Sequence, residues 1–150
     1  VLKVHSLGEC YRKGNPHYDQ RSTVPAIVDV TTGAVVNNDY HDLTTELETA
    51  WKKYFRPDAP DLYPEALRDD IDALNDIIYA DVNLAVNLAA LVTSQKDYEF
   101  YYNKVFDRLD WLEKRLSSRR YLFGDTITDP DIRLYVTLAR FDLVFYQNIM

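Results

Sequence analysis

The sequence predicts an α+β chain: a β-hairpin followed by a helix, then an all-helical domain. Three observations carry this. β-Branched residues concentrate in one place, the run Thr23–Val30, which returns through Thr31-Thr32-Gly33 to Ala34-Val35-Val36. Everything after Pro64 repeats its apolar residues at helical intervals. Between the two lies Arg56–Pro64, with three prolines and no periodicity, the expected linker. The predicted boundaries are 1–55 for the first domain, 56–64 for the linker and 65–150 for the helical domain.

Before the hairpin, Leu2, Val4, Leu7, Cys10 and Tyr11 recur at helical spacing up to Gly14, a C-terminal stop, and Asn15-Pro16 turns the chain. After it, Leu43, Leu47, Ala50, Trp51 and Tyr54 predict a helix from Asp39 to about Phe55. In the second domain Leu67, Ile71, Leu74, Ile78 and Val82 mark one stripe. Ala85–Val92 is apolar nearly all round and is expected to be buried on most sides. Tyr98, Tyr102, Val105, Phe106, Leu109, Leu112 and Leu116 mark a long third helix. Thr128-Asp129-Pro130-Asp131 reads as a capping box with proline in the first turn, and Ile132, Tyr135, Val136, Ala139 and Leu143 are the expected inward face of the last helix.

The net charge of −7 and pI of about 4.9 argue against binding nucleic acid or an anionic membrane surface. No apolar run approaches the ~18 residues of a membrane span. The single cysteine, Cys10, has no internal disulfide partner, and a reducing, cytoplasmic compartment is expected. Cys10 falls on an apolar phase of its helix, so it reads as buried and non-catalytic. His5, His17 and His41 share no metal-ligand spacing, and no metal is expected. The chain opens Val1-Leu2-Lys3 without a methionine, as a processed protein or a fragment would.

Val24-Pro25 at the mouth of a hairpin, then a helix, a proline-rich linker and a helical bundle with a late capping box, resembles the glutathione transferase superfamily. Within it, several stretches are similar to the xi class, the glutathionyl-hydroquinone reductases. These are Thr23–Asp29 with Gly33–Asn38, Asp61-Leu62-Tyr63-Pro64, Tyr121–Thr128, Asp131–Leu134 and Thr137–Asp142. The resemblance implies that residues 1–55 are the end of a thioredoxin-like domain and residues 65–150 a transferase-type helical domain. It implies a low-molecular-weight thiol, glutathione or another such as mycothiol, an electrophile as second substrate, and a homodimer.

The same resemblance distributes the roles. Val24, before a cis-Pro25, would pair its backbone with the cysteinyl part of the thiol, a strand addition in miniature. Asn38, Asp39 and Tyr40 would meet the thiol's far end at a helix start, where free N–H groups favour a carboxylate. The family pattern there is Asn-Glu-Ser. Asp39 keeps the acid on a shorter arm, and an acid at a helix start also serves as an ordinary cap. Tyr40 is bulky where the family has a small hydroxyl, which implies a different thiol or weaker glutathione binding. In the electrophile pocket, Asn87 stands where the family has tyrosine, with Leu88 in place of a basic residue. Phe145 replaces a second tyrosine, one position before Tyr146. The catalytic nucleophile would be a cysteine in a Cys-Pro-Trp motif. No Cys-Pro pair occurs in the 150 residues, so that cysteine is expected upstream. The expected activity is a thiol transferase or reductase acting on thiol adducts of quinones or related electrophiles. The alternative is a non-catalytic module of the same fold, kept for binding or assembly.

Overall fold

The computed structural model describes residues 2–150. The chain divides into two compact units, Val1–Phe55 and Arg56–Met150.

In the first unit α1 spans Leu7–Gly14. It begins five residues later than the apolar spacing predicts. Ser6 is extended, and the Glu9 carboxylate reaches back to accept the His5 N–H at 3.3 Å, which fixes the start. β1 (Ile27–Val28) and β2 (Val35–Asn37) pair antiparallel, with Ile27 opposite Asn37 and Val28 opposite Val35, so the register slips by one residue between them. β1 is shorter than predicted, because among the described residues each strand has only the other to pair with, and β2 keeps three residues, shifted by one. Their loop is closed by Asp29, whose carbonyl accepts the Gly33 N–H at 2.7 Å and whose carboxylate accepts the Thr31 N–H at 2.8 Å. Gly33 has a φ of 71°, the left-handed conformation this turn requires.

The predicted helix over 39–55 is replaced by α2 (Leu43–Thr49) and a 3₁₀ turn, Lys52–Tyr54. Thr49 donates its hydroxyl to the Thr45 carbonyl at 2.7 Å, a back-bond that competes with helical pairing. The apolar stripe of this segment is not buried: Trp51 and Tyr54 are exposed and meet edge to face.

The second unit is helical. A 3₁₀ turn (Glu65–Leu67) leads into α3 (Arg68–Ile78), a π-helical turn (Tyr79–Asn83), α4 (Ala85–Leu91), α5 (Gln95–Leu116), α6 (Asp129–Leu138) and a second π-helical turn (Phe141–Tyr146). One core cluster joins Leu74, Ile78 and Val82 to Leu112, Leu122 and Leu134. A second joins Ala85 and Val86 to Val105 and Phe145. Asp81 binds Lys104 at 3.0 Å and Arg108 at 2.7 Å, tying the first π-turn to α5.

Two expectations change here. In α4, Ala85, Val86 and Ala89 are buried, whereas Asn87, Ala90 and Leu91 are exposed, so one face is covered rather than nearly all. In α6 the capping box forms, with Asp131 accepting the Thr128 N–H and hydroxyl, each at 2.9 Å, and the Leu122 N–H at 2.8 Å. The buried residues are nevertheless Asp129, Pro130, Arg133, Leu134 and Thr137. Ile132, Tyr135, Val136, Ala139 and Leu143 face outward. The phase is set by polar partners. The Asp129 N–H donates to the Leu62 carbonyl at 2.9 Å, and its carboxylate accepts Asn75 Nδ2 at 2.8 Å and Arg133 Nε at 2.6 Å. A buried carboxylate satisfied this fully outweighs an apolar stripe that could equally face outward.

Candidate functional site

The residues of the expected thiol site lie in the first unit. Val24 precedes β1 and is exposed, and the Val24–Pro25 peptide is cis. The segment is held from below. Tyr11, buried on α1, donates its hydroxyl to the Thr23 carbonyl at 2.9 Å and stacks on Tyr18 with ring centres 4.5 Å apart. In the sequence Tyr11 shows only as one more apolar residue of α1, and nothing marks its hydroxyl as the anchor of the next loop.

At the end of β2, Asn37 accepts the Asp39 N–H at 2.7 Å and donates its amide to Glu46 on α2. Asn38, Asp39 and Tyr40 are all exposed. Asp39 is four residues ahead of α2, not at its first turn. Its Oδ1 accepts the His41 N–H at 2.8 Å and the Asp42 N–H at 3.2 Å, and its carbonyl accepts the Leu43 N–H at 3.1 Å. The N–H groups of His41 and Asp42, ahead of α2, are therefore already bonded. With Asp42 beside Asp39, the turn presents negative charge and acceptor atoms. Such a surface suits ammonium and hydroxyl groups and repels a carboxylate.

The residues of the expected electrophile pocket lie in the second unit. Asn87 is exposed on α4, and its Nδ2 donates to the Asn83 carbonyl at 2.8 Å. A carbonyl partner demands the amide nitrogen, so Asn87 turns its oxygen outward and offers an acceptor where a phenol would both donate and accept. Phe145 is 4% exposed and packs in the second core cluster with Ala85, Val86 and Val105, while the Arg140 guanidinium lies 5.4 Å from its ring centre. Tyr146 is 53% exposed, with its ring 6.3 Å from that of Phe141. Of the three residues, Asn87 and Tyr146 thus reach the surface and Phe145 supports it from beneath. Cys10, 2% exposed, is buried within α1.

Sequence reasoning did not assign a part to Asn83. Its Nδ2 donates to the Arg133 carbonyl at 3.0 Å, so it stands between Asn87 and the buried Arg133–Asp129 pair. An asparagine inside the apolar run Val82–Val86 was the available signal.

Comparison with known proteins places these features in a family. Residues 95–150 match the model for the glutathione S-transferase C-terminal domain. The glutathionyl-hydroquinone reductase YqjG of Escherichia coli is 40% identical over 142 residues, covering 95% of this chain and 43% of that protein. A crystal structure of a glutathione transferase from Gordonia bronchialis aligns with a TM-score of 0.95 at 44% identity, over 99% of this chain and 46% of that one. The glutathione-bound structure of YqjG aligns with a TM-score of 0.88 at 39% identity, over 95% of this chain and 46% of that one. The chain spans less than half the length of each. A two-stranded sheet followed by a helical domain of this type, matched across nearly all 150 residues, identifies the chain as a member of the glutathione S-transferase superfamily whose relatives are glutathionyl-hydroquinone reductases and xi-class transferases.

Proposed function

We propose that the protein containing this chain is a thiol transferase or reductase that removes a low-molecular-weight thiol from its adducts with quinones or related electrophiles. Its nucleophile is a cysteine upstream of Val1. The thiolate attacks the sulfur of the adduct. The carbon–sulfur bond breaks, its electron pair passes to the ring carbon, and that carbon takes up a proton. The cysteine is left as a mixed disulfide with the thiol. A second thiol attacks this disulfide, releases the free cysteine and leaves as a disulfide with the first, so one free thiol and the adduct sulfur are oxidised as one carbon–sulfur bond is reduced.

Within this scheme Val24 offers its backbone to the cysteinyl part of the thiol. The observation that carries the reading is this exposed edge, anchored through Thr23 by the Tyr11 hydroxyl, in a chain of this family. Asn38, Asp39 and Tyr40 meet the far end of the thiol. Because the turn offers acceptors, it suits the hydroxyls of a thiol such as mycothiol or the γ-glutamyl ammonium of glutathione, and disfavours glutathione's carboxylates. Asn87 and Tyr146 contact the electrophile. The protein works as a homodimer in a reducing, cytoplasmic compartment, without a metal.

A second reading, a non-catalytic binding or assembly module, draws on the same site. Asn87 spends one of its two amide N–H groups on the Asn83 carbonyl, Leu88 supplies no charge, and no Cys-Pro pair is present in the 150 residues. Turnover decides between them. The natural protein, given the thiol adduct of menadiol with excess glutathione or mycothiol, is expected to release free menadiol and consume thiol. No release with either thiol favours the binding module.

A further inference from the structure

The helical unit contains two π-helical turns, and both touch the surface assigned to the electrophile. Tyr79–Asn83 leads into α4, which carries Asn87, and Phe141–Tyr146 contains Phe145 and Tyr146. Wide turns of this kind concentrate at functional sites. In the first of them the Leu84 N–H donates to the Tyr79 carbonyl at 2.8 Å, five residues back rather than four. One extra residue per turn rotates the rest of the helix by about 100° relative to a continuous α-helix. Val82 accordingly packs in the first core cluster, while Ala85 and Val86 pack in the second.

Asn83 is the last residue of that turn and is bonded on both sides. Its amide nitrogen donates to the Arg133 carbonyl at 3.0 Å, and its own carbonyl accepts Asn87 Nδ2 at 2.8 Å. Arg133 is in turn fixed by Asp129, and Asp129 by Asn75 and Leu62. The arrangement costs something: Asn83 Oδ1 is buried with no partner among the described residues. A leucine would occupy similar space without leaving that acceptor bare. The position therefore answers to what the amide holds in place.

We propose that Asn83 is a positioning residue, whose side chain pins the first π-turn to α6 and so sets the direction in which Asn87 leaves α4. This rests on the reading of Asn87 as an electrophile contact. Asn83→Asp loses the donor at nearly constant shape, and Asn83→Leu also removes the orphaned acceptor, so one of the two is expected to fold even if the other does not.

Both variants are made in the natural full-length protein. Backbone amides of residues 84–90 are expected to exchange with solvent about tenfold faster, with the amides of α5 unchanged. The KM for the menadiol–thiol adduct is expected to rise about tenfold, with kcat and the KM for free thiol unchanged. Unchanged exchange over 84–90, or acceleration spread equally over α3, α5 and α6, overturns the proposal, the latter because it marks a general structural role. A local exchange change with an unaltered adduct KM overturns it as well. If the unmutated protein turns over no adduct, the proposed function fails, and the exchange pattern alone decides whether Asn83 holds α4.

Discussion

Arg133 and Asp129 form an ion pair one helical turn apart on α6, Nε to Oδ2 at 2.6 Å, with 9% and 1% of their side chains exposed. Asn75 of α3 shares the same carboxylate oxygen at 2.8 Å. The start of α6 is therefore fixed to α3 by a hydrogen bond onto a charged acceptor, at a place where the sequence shows a capping box.

Removing one member leaves a buried charge with reduced compensation. Arg133→Met is expected to lower the unfolding free energy by about 3 kcal/mol. Urea denaturation followed by far-UV circular dichroism measures it. A change near zero means that the pair is not a determinant of how α6 packs.

Asp131 does more than complete a capping box, since it also accepts the Leu122 N–H from the preceding loop at 2.8 Å. Asp131→Ala releases three donors at once and is expected to cost about 2 kcal/mol. Asp131→Asn keeps the shape and an acceptor oxygen and is expected to recover part of that loss. The two thermal midpoints, compared with the unmutated protein, check the order.

The pH dependence of stability has an identifiable contributor in Asp81. Burial pushes its carboxyl up, but hydrogen bonds and charge from Lys104 and Arg108 outweigh this, and the net shift is downward. A carboxyl depressed in the folded state contributes stability that is fully present above its unfolded value of about 4 and is lost as the pH falls through the folded value. Thermal midpoints are expected to drop more steeply below about pH 4 in the unmutated protein than in Asp81→Asn. Parallel curves for the two contradict the assignment.

In the proposed function, the acidic turn before α2 selects the thiol. Tyr40→Ser is expected to tighten glutathione binding about tenfold by relieving crowding, and Asp39→Asn to weaken a hydroxyl-rich thiol by a similar factor through loss of a charged acceptor. Isothermal titration of both variants against both thiols measures this. Affinities that move together, whichever residue is changed, place the thiol elsewhere.

Much of the helical unit was legible because its signals are local. The stripe Leu74, Ile78, Val82 follows from spacing, and the Thr128–Asp131 box from four consecutive residues. The face α6 buries was not legible, since Arg133 goes inward onto Asp129, which is itself held by Asn75, 54 residues away in sequence. The π-turns were equally hidden. One inserted residue leaves the composition unchanged while rotating all the residues after it, so Asn87 could be named from its motif but the partner of its amide could not. In the first unit the hairpin was readable, whereas the bonds of the Asp39 carboxylate to the His41 and Asp42 N–H groups were not.

The central claim is that the chemistry belongs to a cysteine outside these 150 residues and that Cys10 takes no part. The direct test is peptide mass spectrometry of the natural protein, trapped with acid during turnover of a menadiol–thiol adduct. The expected result is a thiol-sized disulfide on a cysteine N-terminal to Val1, with Cys10, 2% exposed, unmodified. A disulfide on Cys10, or no disulfide on any cysteine, contradicts the account.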